Sequence, residues 1–109
     1  MENLLASHHN LRLGQPEDAL ATIYSGLEGC IFTRKDLAED FFDLRNGLAG
    51  EIFQKFVNYR FPIAIVLPAD HGLGNRVTEL AREHANHNMI RFCESTEIAS
   101  EWLLAKLKG

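Results

Sequence analysis

Residues 40–59, DFFDLRNGLAGEIFQKFVNY, and the run that follows at 62–68, PIAIVLP, decide the fold. Phe41, Leu44, Leu48, Ile52 and Phe56 recur at spacings of three and four, which places them along one face of a helix. Phe42, Ala49, Phe53 and Val57 widen that face, a breadth that suits a helix lying on a sheet rather than a narrow coiled-coil seam. Asp43, Asn46, Gln54, Lys55 and Asn58 fall mostly outside it. The spacing predicts one long amphipathic helix, stopped by Pro62 and feeding a strand at 63–67. That strand is continuous in apolar residues and reads as covered on both faces.

Gly47 and Gly50 interrupt the predicted helix. Each costs about 1 kcal/mol relative to alanine in a helix interior, a cost that close approach of another backbone or of a ligand would offset. With Asp43 and Gln54 they lie near one line, so the four residues outline a shallow groove with polar flanks. Tight packing of a neighbouring element and a binding surface are its two readings.

The stretch FFDLRNGLAGEIFQKFVNYR, followed by IAIV, resembles the signature of the bacterial domain of unknown function 4180 family. Members of that family carry close variants of FFDL-(K/R)-x-GLAGE-(I/V)-x-QKF-x-NY. The resemblance is closest over residues 36–66 and extends more loosely over 16–37 and 76–104. It implies a small α/β domain with the layout of STAS domains, and it implies no activity, because none is established for the family. It also implies a pair of N-terminal strands, whereas only residues 1–13 precede the first predicted helix here.

At 109 residues the chain reads as one domain with a single core. Its hydrophobic fraction of 46% and charged fraction of 24% are those of a globular protein in water. A net charge of -4 argues against nucleic acid or an anionic membrane as partner, since both call for a basic surface. No apolar run reaches the length of a membrane span, and the N-terminus lacks the basic-then-apolar order of a signal peptide. The expected compartment is the cytoplasm, where Cys30 and Cys93, each inside an apolar run, stay reduced and buried.

The rest of the chain alternates strand and helix signals. Leu11 and Leu13 mark a short edge strand after a frayed end at 1–10. Pro16, Glu17 and Asp18 open a helix whose apolar face is Leu20, Ile23, Tyr24 and Leu27. A strand follows at 29–33, then the long helix, the strand at 63–67 and a glycine-bearing loop at 68–75. Asn75 is the expected N-cap of a third helix facing inward with Val77, Leu80, Ala81 and His84. A strand at 89–93 leads to a last helix, capped by Ser95 and facing inward with Ile98, Trp102 and Leu103. The pattern predicts an α/β fold: a small, mostly parallel sheet of three to four strands in βα units with covering helices.

Ligands of parallel sheets bind beyond the carboxyl ends of the strands. That edge collects Thr33, Arg34 and Lys35, then Asp70, His71 and Asn75, then Glu94 and Ser95. Asp70 beside His71 offers an acceptor next to a group that titrates near neutrality, and Lys35 or Arg34 can bind an anion. HGLGN lacks the spacing of a P-loop or dinucleotide fingerprint. His84 and His87 stand three apart on a helix but have no further ligand cluster, so no metal or cofactor is predicted. Between Thr33 and Thr78 there is no serine or threonine, so the turn 34–45 has no hydroxyl of the kind phosphorylated in regulatory STAS modules.

No catalytic residue is therefore assigned. The leading expectation is a non-catalytic regulatory or protein-interaction module using Asp43, Gly47, Gly50 and Gln54. It would pair as a homodimer, because few strands ahead of the first helix would leave a sheet edge open. The alternative is a binder of a small molecule or anion, or an enzyme, working through Lys35, Asp70, His71 and Asn75.

Overall fold

The structure, a computed structural model, describes residues 4–108, apart from the side chain of Leu44. Three strands, β1 (Cys30–Thr33), β2 (Ile63–Val66) and β3 (Ile90–Cys93), form one parallel sheet in the order β1-β2-β3. Cys30 pairs with Ile63, and Ile63 with Ile90, so the strands start level. Side-chain alternation splits the core into two layers. Cys30, Phe32, Ile63, Ile65, Ile90 and Phe92 enter one layer, while Ile31, Ala64, Val66 and Cys93 enter the other.

The chain order explains which helices cover which layer. Right-handed crossovers between strands laid down in sequence put both connecting helices on the same side. Those helices are α2 (Leu48–Asn58) and α3 (Asn75–Glu83). From α2, Ala49, Ile52, Phe53 and Phe56 enter the first layer, where the Phe56 ring lies 6.3 Å from that of Phe32. From α3, Val77 joins them, and α1 (Pro16–Ile23) lies against α2. The opposite side is closed by α4 (Thr96–Lys108) through Ala99 and Leu103. Arg91, the one charged residue of the sheet, reaches that side and lies 5.0 Å under the Trp102 ring.

The single long helix is replaced by two 3-10 turns, Glu39–Phe42 and Leu44–Asn46, and then the shorter α2. Local polar bonds defeat the helix there. The Asp43 carboxylate accepts from the Arg45 amide, the Asn46 side chain donates to the Asp40 carbonyl at 3.0 Å, and its Oδ1 accepts from the Leu48 amide at 2.8 Å. Gly47 takes φ 75°, ends the second turn and becomes the N-cap of α2. Phe41 is still fully buried, so the apolar spacing located the core side of a segment whose backbone differs. The placement of Leu44 on that face lies outside the described residues.

Other boundaries and faces shift for related reasons. Residues 11–13 make one bridge, Leu13 to Leu37, rather than a strand, and Leu5 bridges to Ile31. The segment expected to fray contains a 3-10 helix, Ala6–His9, with Ala6 fully buried, while residues 1–3 lie outside the described ones. The N-cap of α3 is Gly74 at φ 98°, and Asn75 is the first helical residue. Ser95 does accept from the Ile98 amide at 3.2 Å. In α1 the buried residues are Ala19 and Thr22, with Tyr24 71% exposed, and in α4 they are Ala99 and Leu103, with Ile98 50% exposed. Ala19, Thr22 and Ala99 hold inward positions that the large apolar residues did not mark, while Leu103 faces inward as the spacing predicts.

Candidate functional site

The carboxyl edge of the sheet is built from three loops, each organised by one polar residue. After β1, Thr33 and Asp36 form a capping box: the Asp36 Oδ2 accepts from the Thr33 amide at 2.8 Å and from its hydroxyl at 3.0 Å. This fixes the turn and leaves Arg34 free to reach across, where its Nη1 donates to the His71 carbonyl at 2.9 Å.

His71 organises the loop after β2. Its Nδ1 accepts from the Leu73 amide at 2.8 Å, so in the neutral ring the proton sits on Nε2. That Nε2 donates to the Thr78 hydroxyl at 3.1 Å, and Thr78 donates on to the Gly74 carbonyl at 3.2 Å. The loop is thereby pinned to the first turn of α3. The third contribution is Glu94, directly after β3.

Between the second and third loops opens a cavity of about 250 Å³. Leu67, Pro68, Ala81 and Phe92 give it apolar walls, and His71, Thr78, Arg82 and Glu94 supply its polar atoms. Cys93 also lines it, but burial pushes that thiol up from its ordinary value. Cys30, inside the core, is pushed up to about 12 by burial. Neither cysteine is an activated nucleophile, because the thiolate is the reactive form.

The structure separates the four loop residues singled out from sequence. His71 lines this cavity. Lys35 lines a different hollow with Thr33, Arg34, Val66 and Pro68. Asn75 faces a third, polar hollow with Phe42, Asp43, Arg45 and Arg76. Asp70 is exposed beside His71. Thr78 and Arg82 were missed, although their spacing of four places them on the same side of α3, one and two turns beyond the loop. Among the described residues, no three histidine, cysteine, aspartate or glutamate side chains gather as a metal site.

The proposed groove dissolves as a groove. Asp43 belongs to a 3-10 turn, where it pairs with Arg45 at 3.0 Å, and Gly47 is a cap rather than a helix-interior residue. Only Gly50 and Gln54 share the α2 surface, and Gln54 donates to Asn58 Oδ1 at 2.8 Å. A Cβ built at Gly47 or Gly50 meets nothing within 4 Å, so among the described residues no other element packs closely against either glycine.

The family model described as domain of unknown function (DUF4180) matches residues 4–103, and the chain belongs to that family. No curated protein and no solved structure matches the chain.

Proposed function

We propose that this member of the domain of unknown function 4180 family is a non-catalytic, cytoplasmic regulatory module that acts by binding, and that the cavity at the carboxyl edge of its sheet takes a small molecule. The observation that carries this is the cavity itself: apolar walls with a few convergent polar groups at the ligand end of a parallel sheet. Its histidine is engaged through both ring nitrogens in holding the loop, which favours recognition over proton transfer. The STAS-like layout implied by the sequence resemblance belongs to the same reading. A melting-temperature screen against metabolites tests it. A ligand at a hundredfold its Kd stabilises the fold by about 2.7 kcal/mol. That gain should vanish in Arg82→Ala, and a screen without any stabilising compound would discard the reading.

A second reading, contact with another protein or a second copy, is favoured by one surface. Tyr24 and Tyr59 are 71% and 51% exposed and pack edge to face with ring centroids 6.0 Å apart. Exposed tyrosines with an apolar body and a polar tip are favoured at interfaces. Light scattering of the chain and of Tyr24→Ser tests it: a dimer that the substitution dissociates supports the surface, and a monomeric parent chain removes the homodimer.

A further inference from the structure

We infer that His87 is a proton-sensitive latch that holds β3 against the end of α3 and so sets the shape of the carboxyl-edge cavity. The cavity's walls come from those two elements: Thr78, Ala81 and Arg82 from α3, Phe92 and Cys93 from β3. What ties them together is the short return between them. The His87 Nδ1 accepts from two backbone amides, Met89 at 3.1 Å and Ile90 at 3.0 Å. The Phe92 amide donates to the His84 carbonyl at 3.3 Å, and Arg91 Nη2 donates to the His87 carbonyl at 3.3 Å. Outward-facing donors of an edge strand are thus satisfied by the chain's own return rather than by a fourth strand.

Two of those bonds depend on one lone pair. A proton on Nδ1 turns the acceptor into a donor aimed at two N–H groups, and both bonds are lost together. The surroundings add to the conflict. At the C-cap of α3 the His84 ring lies tilted against that of His87, centroids 5.1 Å apart, and from β3 comes the Arg91 guanidinium. From α4, Lys106 donates to Asn88 Oδ1 at 2.6 Å, while α2 presents the Phe53 ring to His84 at 5.2 Å. A charged His87 meets the Arg91 guanidinium from β3, with Lys106 of α4 held at the adjacent Asn88. Partial burial, then His84 and Arg91, accordingly hold the His87 imidazole below its usual range.

The consequence for binding rests on the cavity reading above, but the latch is tested without any ligand. Amide-exchange protection factors are measured at pH 7.5 and 5.5 for the intact chain, His87→Asn and His87→Ala. Asparagine keeps an acceptor near the Nδ1 position and cannot take the proton. In the parent chain, protection at Met89 and Ile90 should fall about thirtyfold on acidification, the factor for losing two bonds of ordinary net strength. The amides of α2 should hold. His87→Asn should stay protected at both pH values and His87→Ala should be low at both. The Cys93 thiol, read with Cys30→Ala as background, should gain reactivity at pH 5.5 relative to the unfolded chain at the same pH. Unchanged protection in the parent chain, or an equal fall in His87→Asn, overturns the latch. A failed ligand screen with the latch behaviour intact removes only the binding reading.

Discussion

Gly47 shows how one residue redirects a long element. Its φ of 75° lies in the left-handed region, where a Cβ costs roughly 1–2 kcal/mol. Gly47→Ala should therefore lower stability by about that amount, although the space around it is open. Gly50 is helical, exposed and equally open, so Gly50→Ala should raise stability by about 1 kcal/mol. Urea midpoints of the two variants should move in opposite directions, and a shared direction would contradict the assigned conformations. The signal was present in sequence as Asn46-Gly47, a turn dipeptide. Apolar spacing at three and four outweighed it because 3-10 turns can bury nearly the same side chains. At Phe56 periodicity and structure agree: the side chain is fully buried beside Phe61, with ring centroids 5.7 Å apart. Phe56→Ala should cost about 3 to 5 kcal/mol, read from the same midpoint.

At the scale of elements, the type and order of β1 to β3 and α1 to α4 were legible, and the facing of α1 and α4 only in part: Ile23, Leu27 and Leu103 pack inward as expected, Tyr24 and Ile98 do not. Large apolar residues were weighted over small ones in choosing inward faces. The most closely packed sites, on α1 against α2 and on α4 against the sheet, are held by Ala19, Thr22 and Ala99, because a helix seated closely on its neighbours has no room for more there. Ala99→Leu should destabilise by about 1–3 kcal/mol through overpacking. Ile98→Ser, one position earlier and half exposed, should stay within about 0.5 kcal/mol. Thermal midpoints of the pair decide which side of α4 faces the sheet.

The return between α3 and β3 links an element to pH. Because the folded chain holds His87 below its usual range, it takes up that proton at lower pH than the unfolded chain. Stability from the neutral ring is complete above the unfolded value near 6.5 and is lost as pH falls below it toward the folded value. The parent chain should lose more stability than His87→Asn between pH 7.5 and 5, measured by urea unfolding at each pH. Equal losses would place the linkage elsewhere. Sequence reading placed His84 and His87 three apart on one helix, a spacing that carries no sign that the His87 ring will accept from the next strand.

Across the whole molecule, the decisive question is how a sheet of three short strands ends. An open edge offers a row of unpaired groups to any other chain, and natural sheets cover such rows. Sequence reading left one edge open and inferred a dimer, because few strands precede the first helix. In the structure the described part of the segment 1–13, residues 4–13, packs along that side: Leu5 bridges to Ile31, Ala6 is fully buried, and Leu13 bridges to Leu37 with its amide on the Asp36 carbonyl at 2.8 Å. The edge is thus sealed from within, while β3 is sealed by the return at 84–89. Self-association through β1 has lost its motive, and any homodimer must use another surface such as Tyr24 and Tyr59. Removing residues 1–10 should reverse this. The truncated chain would expose the outer side of β1 and the apolar layer beneath Leu4 and Leu5. Light scattering should then show concentration-dependent growth in mass that Tyr24→Ser does not suppress. A truncated chain that keeps the mass of the intact one would mean that the segment packs on β1 without guarding it.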